Sequence, residues 1–337
     1  MAGLSALARP AESLDGPLRL AVTGGTGLVG SALLRAAAGC AWLDSVQALC
    51  RGEAPKSLRG TDWVRGDLSN EAALTRLCEG ADVLIHVAGA TAAPGDAGFH
   101  AVNVAGTARV VAAARRAGVR RVVLVSSQAA GVPSLSRYAA SKAMGEAAAM
   151  RAAGDVMNVV VVRPPAVFGP GDEATKPILD ALSRGLLPVP GGRGWRERRF
   201  ALVTATDLAG ELLRIARDGA SGVRIPASYP ALSWTDLAEA AGRPVRIVPV
   251  PMGLLRLAGH GADLAARLTG RAFVFGAGKA REMACDWRTH GSGLGNLPLA
   301  EALQPLMSST SPTPVRGAPA KAKPTRPRAA PVTEGSS

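Results

Sequence analysis

The sequence predicts an α/β fold, a doubly wound parallel sheet with a smaller C-terminal lobe. Three observations lead there. ADVLIHVAG (81–89) and RRVVLVSS (120–127) are continuous apolar runs that end in small polar residues. A strand without polar alternation is buried on both faces, as in a parallel sheet covered by helices. Alanine-rich stretches of helical periodicity separate the runs, so strand and helix alternate. Alternation with right-handed crossovers gives a doubly wound sheet, with ligands at the carboxyl ends of its strands.

Taken in order, LRLAVT (18–23) is a β-branched strand ended by a glycine turn, and Gly27 to Ala38 has helix period. SVQALC (45–50) and TDWVRG (61–66) are the next strands, followed by a helix over Glu71–Cys78. Helices are expected at Gly98–Ala117 and Tyr138–Ala153, on either side of the 120–127 strand. VMNVVVVRPP (156–165) repeats the strand pattern and is stopped by proline. Beyond Pro164, proline and glycine become frequent (PPAVFGPGD, LLPVPGGRGW) and the alternation is lost. The expected division is a sheet domain at 17–165, a lobe at 166–307 partly interleaved with the sheet, and a tail at 308–337.

The chain has 337 residues, 47% hydrophobic and 19% charged, enough to bury a sizeable core. Cys40, Cys50, Cys78 and Cys285 form no C-x-x-C pair, and His86, His100, His260 and His290 form no H-E-x-x-H. A disulfide scaffold and a metal site are therefore not expected, and a reducing compartment is. No apolar run approaches the ~18 residues of a spanning helix. The opening MAGLSALARPAESLDGP is too interrupted for a signal-peptide core, so a cytoplasmic protein is expected.

A net charge of +13 invites a nucleic-acid partner. Its placement argues against one. Arg316, Lys321, Lys323, Arg326 and Arg328 face Glu334 alone in a proline-rich tail with little to bury, the pattern of a solvated, disordered segment.

The stretch TGGTGLVG (23–30) places glycines at 24, 27 and 30. With 40 glycines in the chain, the spacing alone decides nothing. Its context does: the glycines follow a strand and open a helix, where a dinucleotide pyrophosphate needs bare backbone and N-terminal amides. YAASK (138–142) carries one of only two tyrosines, with a lysine four residues on. On a helix the two share a face. An ammonium beside a phenol favours the phenolate and is expected to lower the Tyr138 pKa. Such a tyrosine exchanges a proton with a carbonyl or alcohol oxygen while hydride moves at the carbon. Ser126 and Ser127 end the preceding strand, where a hydroxyl either holds the substrate oxygen or caps a turn.

Together these motifs resemble the extended short-chain dehydrogenase/reductase family, which includes nucleotide-sugar epimerases and dehydratases. The resemblance runs to about Leu306, through TGGTGLVG (23–30), GDL (66–68), HVAG (86–89), VNVAGT (102–107), VSS (125–127), YAASK (138–142), RPPAVFGPGD (163–172) and DLA (207–209). It implies a Rossmann domain at 17–165 that binds the dinucleotide and a substrate-binding lobe at 166–307. It makes Tyr138 the acid/base, Lys142 its partner and a ribose contact, and Ser127 the catalytic serine, with Ser126 second. Gly24, Gly27 and Gly30, with Thr26, Leu28 and Val29, would hold the pyrophosphate. Asp67 and Leu68 would face the adenine, and Ala88 and Gly89 the ribose. Pro164 and Val167 would flank the nicotinamide, with Asn103 near the site.

Two features depart from many members. The second strand ends in Arg51 where NAD-preferring members carry an acid, so Arg51, with Lys56, points to NADP over NAD. An exposed arginine in a basic protein is the plain alternative. Ser127 and Tyr138 are also close in sequence, without the insertion of many nucleotide-sugar enzymes. The expected function is hydride transfer between NADP and a secondary alcohol or ketone of a small-molecule substrate. The alternatives are an epimerase or dehydratase that retains NAD, and a non-catalytic NAD(P)-binding scaffold or sensor. His86 is placed to approach the cofactor or simply to pack. GWRERRF (194–200), with Arg184 and Arg193, is either a phosphate grip or a solvated basic loop. Family members often dimerise through the YxxxK helix, which leaves a homodimer open here.

Overall fold

The computed structural model describes residues 13–309, apart from 173, 220–221, 290–292 and 296. The expected tail beyond 309 lies outside the described residues. The chain forms β1 (Leu18–Thr23), α1 (Leu28–Ala37), β2 (Leu43–Cys50), β3 (Asp62–Arg65), α2 (Glu71–Cys78) and β4 (Val83–His86). Next come α3 (Asp96–Phe99), a π-helical stretch (His100–Gly106), α4 (Thr107–Arg116), β5 (Arg121–Val125), α5 (Arg137–Ala153) and β6 (Asn158–Val162). The remainder holds β7 (Ala166–Phe168), α6 (Lys176–Ser183), β8 (Leu186–Pro190), β9 (Phe200–Thr204), α7 (Ala205–Asp218), β10 (Gly222–Arg224) and β11 (Tyr229–Leu232). It ends with α8 (Trp234–Glu239), β12 (Arg246–Val250), α9 (Met252–Thr269), α10 (Ala277–Met283) and α11 (Leu299–Ser309).

The main sheet is parallel, in the order β10-β6-β5-β4-β1-β2-β3. Its order reverses between β1 and β4, which opens a crevice at their carboxyl ends. All five residues of β5 are buried. Val123 and Val125 pack on the face covered by α1 and α7, while Val122 and Leu124 pack on the face covered by α2, α4 and α5. Each such side chain contributes about 2 kcal/mol. The continuous apolar runs of the sequence are these doubly covered strands. Arg121 opens β5 yet is buried, and its guanidinium donates to the carbonyls of Ala216 (2.6 Å) and Arg217 (3.2 Å), satisfying the last turn of α7.

Beyond Pro164 the chain returns to the main sheet, laying α7 against α1 and adding β10 at the edge beside β6. The rest of it makes two small sheets, β11-β9-β7 and β12-β8, around a separate apolar cluster that includes Phe168, Leu182, Leu187 and Leu303. The single helix expected over 98–117 is broken by the π-helical stretch at 100–106. There the Asn103 carbonyl accepts from the Thr107 hydroxyl (2.8 Å) and faces the bare Cα of Gly145 on α5. Such π segments are frequent at functional sites.

Candidate active site

A cleft of about 1840 Å³ runs from the glycine turn after β1, across the ends of β4, β5 and β6, to α9 and α10. Gly24, Thr26, Gly27, Leu28 and Val29 line it. Gly24 has φ +74°, and a Cβ there would stand 2.6 Å from the Ala88 amide nitrogen, so only glycine fits between β1 and β4. Gly30 lies behind the cleft wall, where any Cβ would strike the Gly24 carbonyl. It lets α1 close on the turn, so that the helix N-terminus points into the cleft.

Tyr138 and Lys142 both rise from the first turns of α5 and line the cleft with Ser127. The Ser126 hydroxyl instead donates to Glu146 Oε1 (2.5 Å), deep in the core. Both serines line the cleft, but the Ser126 hydroxyl is engaged by Glu146, whereas Ser127 Oγ, which accepts from the Ala129 amide (3.2 Å), lies toward Tyr138. Lys142 Nζ donates to the Val125 carbonyl (2.8 Å) at the end of β5. Contrary to the expectation from the sequence, the lysine does not lower the phenol. Burial pushes Tyr138 up to about 12 against the Ser127 hydrogen bond, and the Glu282 carboxylate adds to the rise. Lys142 is itself pushed down to about 8 by burial, opposed by Glu146. Its donor is directed at the Val125 carbonyl, and burial and Glu282 outweigh any help it gives the phenolate.

Two supporting carboxylates carry no role in the sequence analysis. Glu146 is buried and takes both nitrogens of a fork from Arg163 (Nε 2.9 Å, Nη2 2.6 Å). It follows Tyr138 and Lys142 at the same four-residue step, a signal that was there to be read. Glu282, from α10, is also buried and accepts from the hydroxyl of Ser136, the N-cap of α5. Nothing local in the sequence marks it, since 146 residues separate the pair. Asn103 does not line the cleft. Its amide accepts from Ala90 N (2.8 Å) and donates to Ala90 O (3.0 Å) and Ser141 Oγ (2.9 Å), tying the loop after β4 to α5.

His86 packs rather than facing the cleft. Thr107 Oγ1 donates to Asn103 O, so His86 Nε2–H donates to Thr107 (3.0 Å) and Nδ1 accepts from Thr23 Oγ1 (2.6 Å). Burial, with the Lys142 charge, holds the imidazole down at about 3. Ala88, Gly89, Leu68, Pro164 and Val167 all line the cleft. Arg51 is exposed on its rim beside Asp67, whose carboxylate accepts from the Ser69 amide (2.7 Å) and hydroxyl (2.6 Å). These hydrogen bonds, more than the Arg51 charge, hold Asp67 below the usual carboxylate range. Lys56 is exposed and off the cleft. Of the 193–199 arginines only Arg198 reaches the cleft, and it donates to the carbonyls of Pro190 (3.0 Å) and Gly191 (3.4 Å), while Arg196 stacks on Trp195.

The NAD dependent epimerase/dehydratase family matches residues 20–222, from β1 to β10. The chain belongs to this family. It is an enzyme of the extended short-chain dehydrogenase/reductase type, an NAD(P)-dependent oxidoreductase or epimerase/dehydratase. A ceramide reductase of Caulobacter vibrioides is 38% identical over 80% of this chain and 85% of its own. A 4-hydroxy-2-methyl-3-oxo-4-farnesyl-3,4-dihydroquinoline-1-oxide ketoreductase of Stigmatella aurantiaca is 38% identical over 52% of this chain and 59% of its own. Among solved structures, MoeE5 in complex with UDP-glucuronic acid and NAD shares the fold, with a TM-score of 0.58 and 21% identity over 86% of this chain and 99% of that one.

The residues present fit the family's dinucleotide. Gly24 and Gly89 offer bare backbone: a Cβ on Gly89 would lie 3.3 Å from both Lys142 Nζ and Asn103 Oδ1. The α1 N-terminus supplies amides for a pyrophosphate, and the cleft continues past Tyr138 with room for a substrate. Among the described residues no cluster of histidine, cysteine and acidic side chains suits a metal. No helix among them is long and apolar enough to cross a membrane.

Proposed function

We propose that the chain is an NADP-preferring ketoreductase whose substrate is a ketone on an acyl-chain lipid. The observation that carries this reading is that the cleft holding Ser127, Tyr138 and Lys142 is also lined by many apolar side chains. Phe99, Phe168, Ile178, Phe273, Val274 and Met283 are among them, surfaces suited to hydrocarbon rather than to a sugar diphosphate. Similarity to a ceramide reductase over most of both chains favours the same substrate class.

The bound nicotinamide supplies the hydride. Tyr138, protonated at working pH because burial raises it, donates the proton to the carbonyl oxygen, which suits reduction. Ser127 holds that oxygen by a hydrogen bond, and Lys142 reaches the ribose from its place beside Gly89. Gly24, Thr26, Gly27, Leu28 and Val29 would line the pyrophosphate, with Gly30 behind the wall, while Asn103 would hold the loop after β4 beside Lys142. Asp67 and Leu68 face the adenine, Ala88 and Gly89 the ribose, and Pro164 and Val167 the nicotinamide. Arg51 meets the 2′-phosphate at the rim. The free thiols of Cys40, Cys50, Cys78 and Cys285 fit work in a reducing, cytoplasmic compartment.

The test is to denature the purified protein, identify any released nucleotide, and titrate NADPH and NADH against the native form. NADPH oxidation is then followed with long-chain acyl ketones and with a nucleotide-activated 4-ketosugar. Tighter NADPH binding with turnover of the acyl ketones is expected. Retained NAD that does not exchange, or turnover of the ketosugar alone, overturns the reading.

A further inference from the structure

Of the 18 residues of α9, only Gly259 and Ala266 are buried. Leu254, Leu257, Leu264 and Leu268 are exposed by 59, 69, 57 and 78%. Their spacing, with Gly261 between, puts all four on one face of the helix. Phe273 and Val274, just beyond the helix, are exposed as well. The opposite face is fixed: Gly259 abuts α10, where a Cβ would meet Ala277 at 2.7 Å, and Asp263 accepts from the Ala277 amide (3.3 Å). The leucines therefore stay outward while α9 remains docked.

The charge beside them has one sign. Arg256, Arg267 and Arg271 are exposed, while the only acid of the helix, Asp263, is turned to α10. Leu264, Phe273 and Val274 also line the cleft, so the patch is continuous with it. An apolar stripe fringed by arginine is the composition of a helix that lies in a bilayer interface. A second copy of this chain would bring cation against cation, since the sequence carries +13. We propose that α9, with residues 270–274, docks the enzyme on an anionic lipid surface, its leucine face in the headgroup–acyl boundary. This goes beyond the catalytic reading and stands on the helix whatever the ketone is.

The test is flotation of the full chain with vesicles of phosphatidylcholine containing 30% phosphatidylglycerol. The parent protein is expected to float, and to float at least fivefold less with pure phosphatidylcholine. The L254Q/L257Q/L268Q variant changes exposed residues that do not line the cleft. It should float at least fivefold less than the parent while keeping its NADPH affinity. The C-terminal basic residues are the same in both proteins, so the difference reports the helix alone. In a second variant, Leu257→Trp, emission should be quenched by brominated phosphatidylcholine in the mixed vesicles. Equal flotation of parent and triple variant, no flotation of the parent, or an unquenched Trp overturns the proposal. So does a parent dimer that the triple variant splits in sedimentation velocity, which would make the stripe a contact between copies.

Discussion

At the scale of single residues, the proton donor proposed for the reaction is the Tyr138 hydroxyl, which lies beside Ser127 in the cleft. Tyr138→Phe removes that hydroxyl and leaves the cleft's shape. It should cut kcat about a thousandfold, with NADPH affinity, measured by fluorescence titration, within twofold. Arg51 stands exposed on the rim, so Arg51→Asp replaces the phosphate partner proposed above with a repulsive charge. NADPH affinity should fall about tenfold or more and NADH affinity rise; an unchanged ratio in paired titrations removes Arg51 from the account. His86 is held neutral, its pKa down at about 3 from 6.5. The unfolded chain binds that proton between these values and the native chain does not. Stability is therefore full above about 6.5 and declines as pH falls toward 3. Urea midpoints should drop across that window, and His86→Gln should flatten the slope.

At the scale of elements, the site depends on α5 meeting the ends of β5 and β6. Arg163, just past β6, forks onto Glu146 of α5, and Ser126 at the end of β5 adds a third contact. All three elements are thus joined at one buried carboxylate. Arg163→Met leaves Glu146 charged and unpaired, and should cost about 3 kcal/mol in urea unfolding. Double replacement with Glu146→Leu should recover much of that loss. Strand and helix positions were largely legible, because unbroken apolar runs and helical periodicity are local signals. The boundaries were less so: 81–89 contracts to Val83–His86, since only the part paired in the sheet counts as strand. The π-helical stretch had no local signal. It follows from the tertiary approach of Gly145 to Asn103.

At the scale of the whole molecule, the C-terminal lobe fastens the helix that bears Tyr138. Glu282 takes the Ser136 hydroxyl, Arg281 Nε donates to the Leu135 carbonyl (2.8 Å), and Gln128 Nε2 reaches the Trp287 carbonyl (3.1 Å). A Cβ on Gly278 would come within 2.7 Å of Ser136 Cβ. Gly278→Val should push α10 off the start of α5 and lower kcat about tenfold. Cofactor affinity, set on the other side of the cleft, should stay within twofold by the same titration.

The sequence by itself determined the sheet and marked residues that the fold brings to one cleft: the glycines that open α1, the tyrosine–lysine step on α5 and the serines at the end of β5. Each is a local pattern, in which residue type and spacing already express the geometry. Only the tertiary structure shows which of the two serine hydroxyls is engaged elsewhere, because Ser126 is claimed by Glu146, 20 residues away. It alone decided the protonation of Tyr138, since desolvation and the charge of Glu282 depend on what packs nearby. It also showed the leucines of α9 left outside. Helical spacing names a face, but only the packing of Gly259 against α10 says which way that face points.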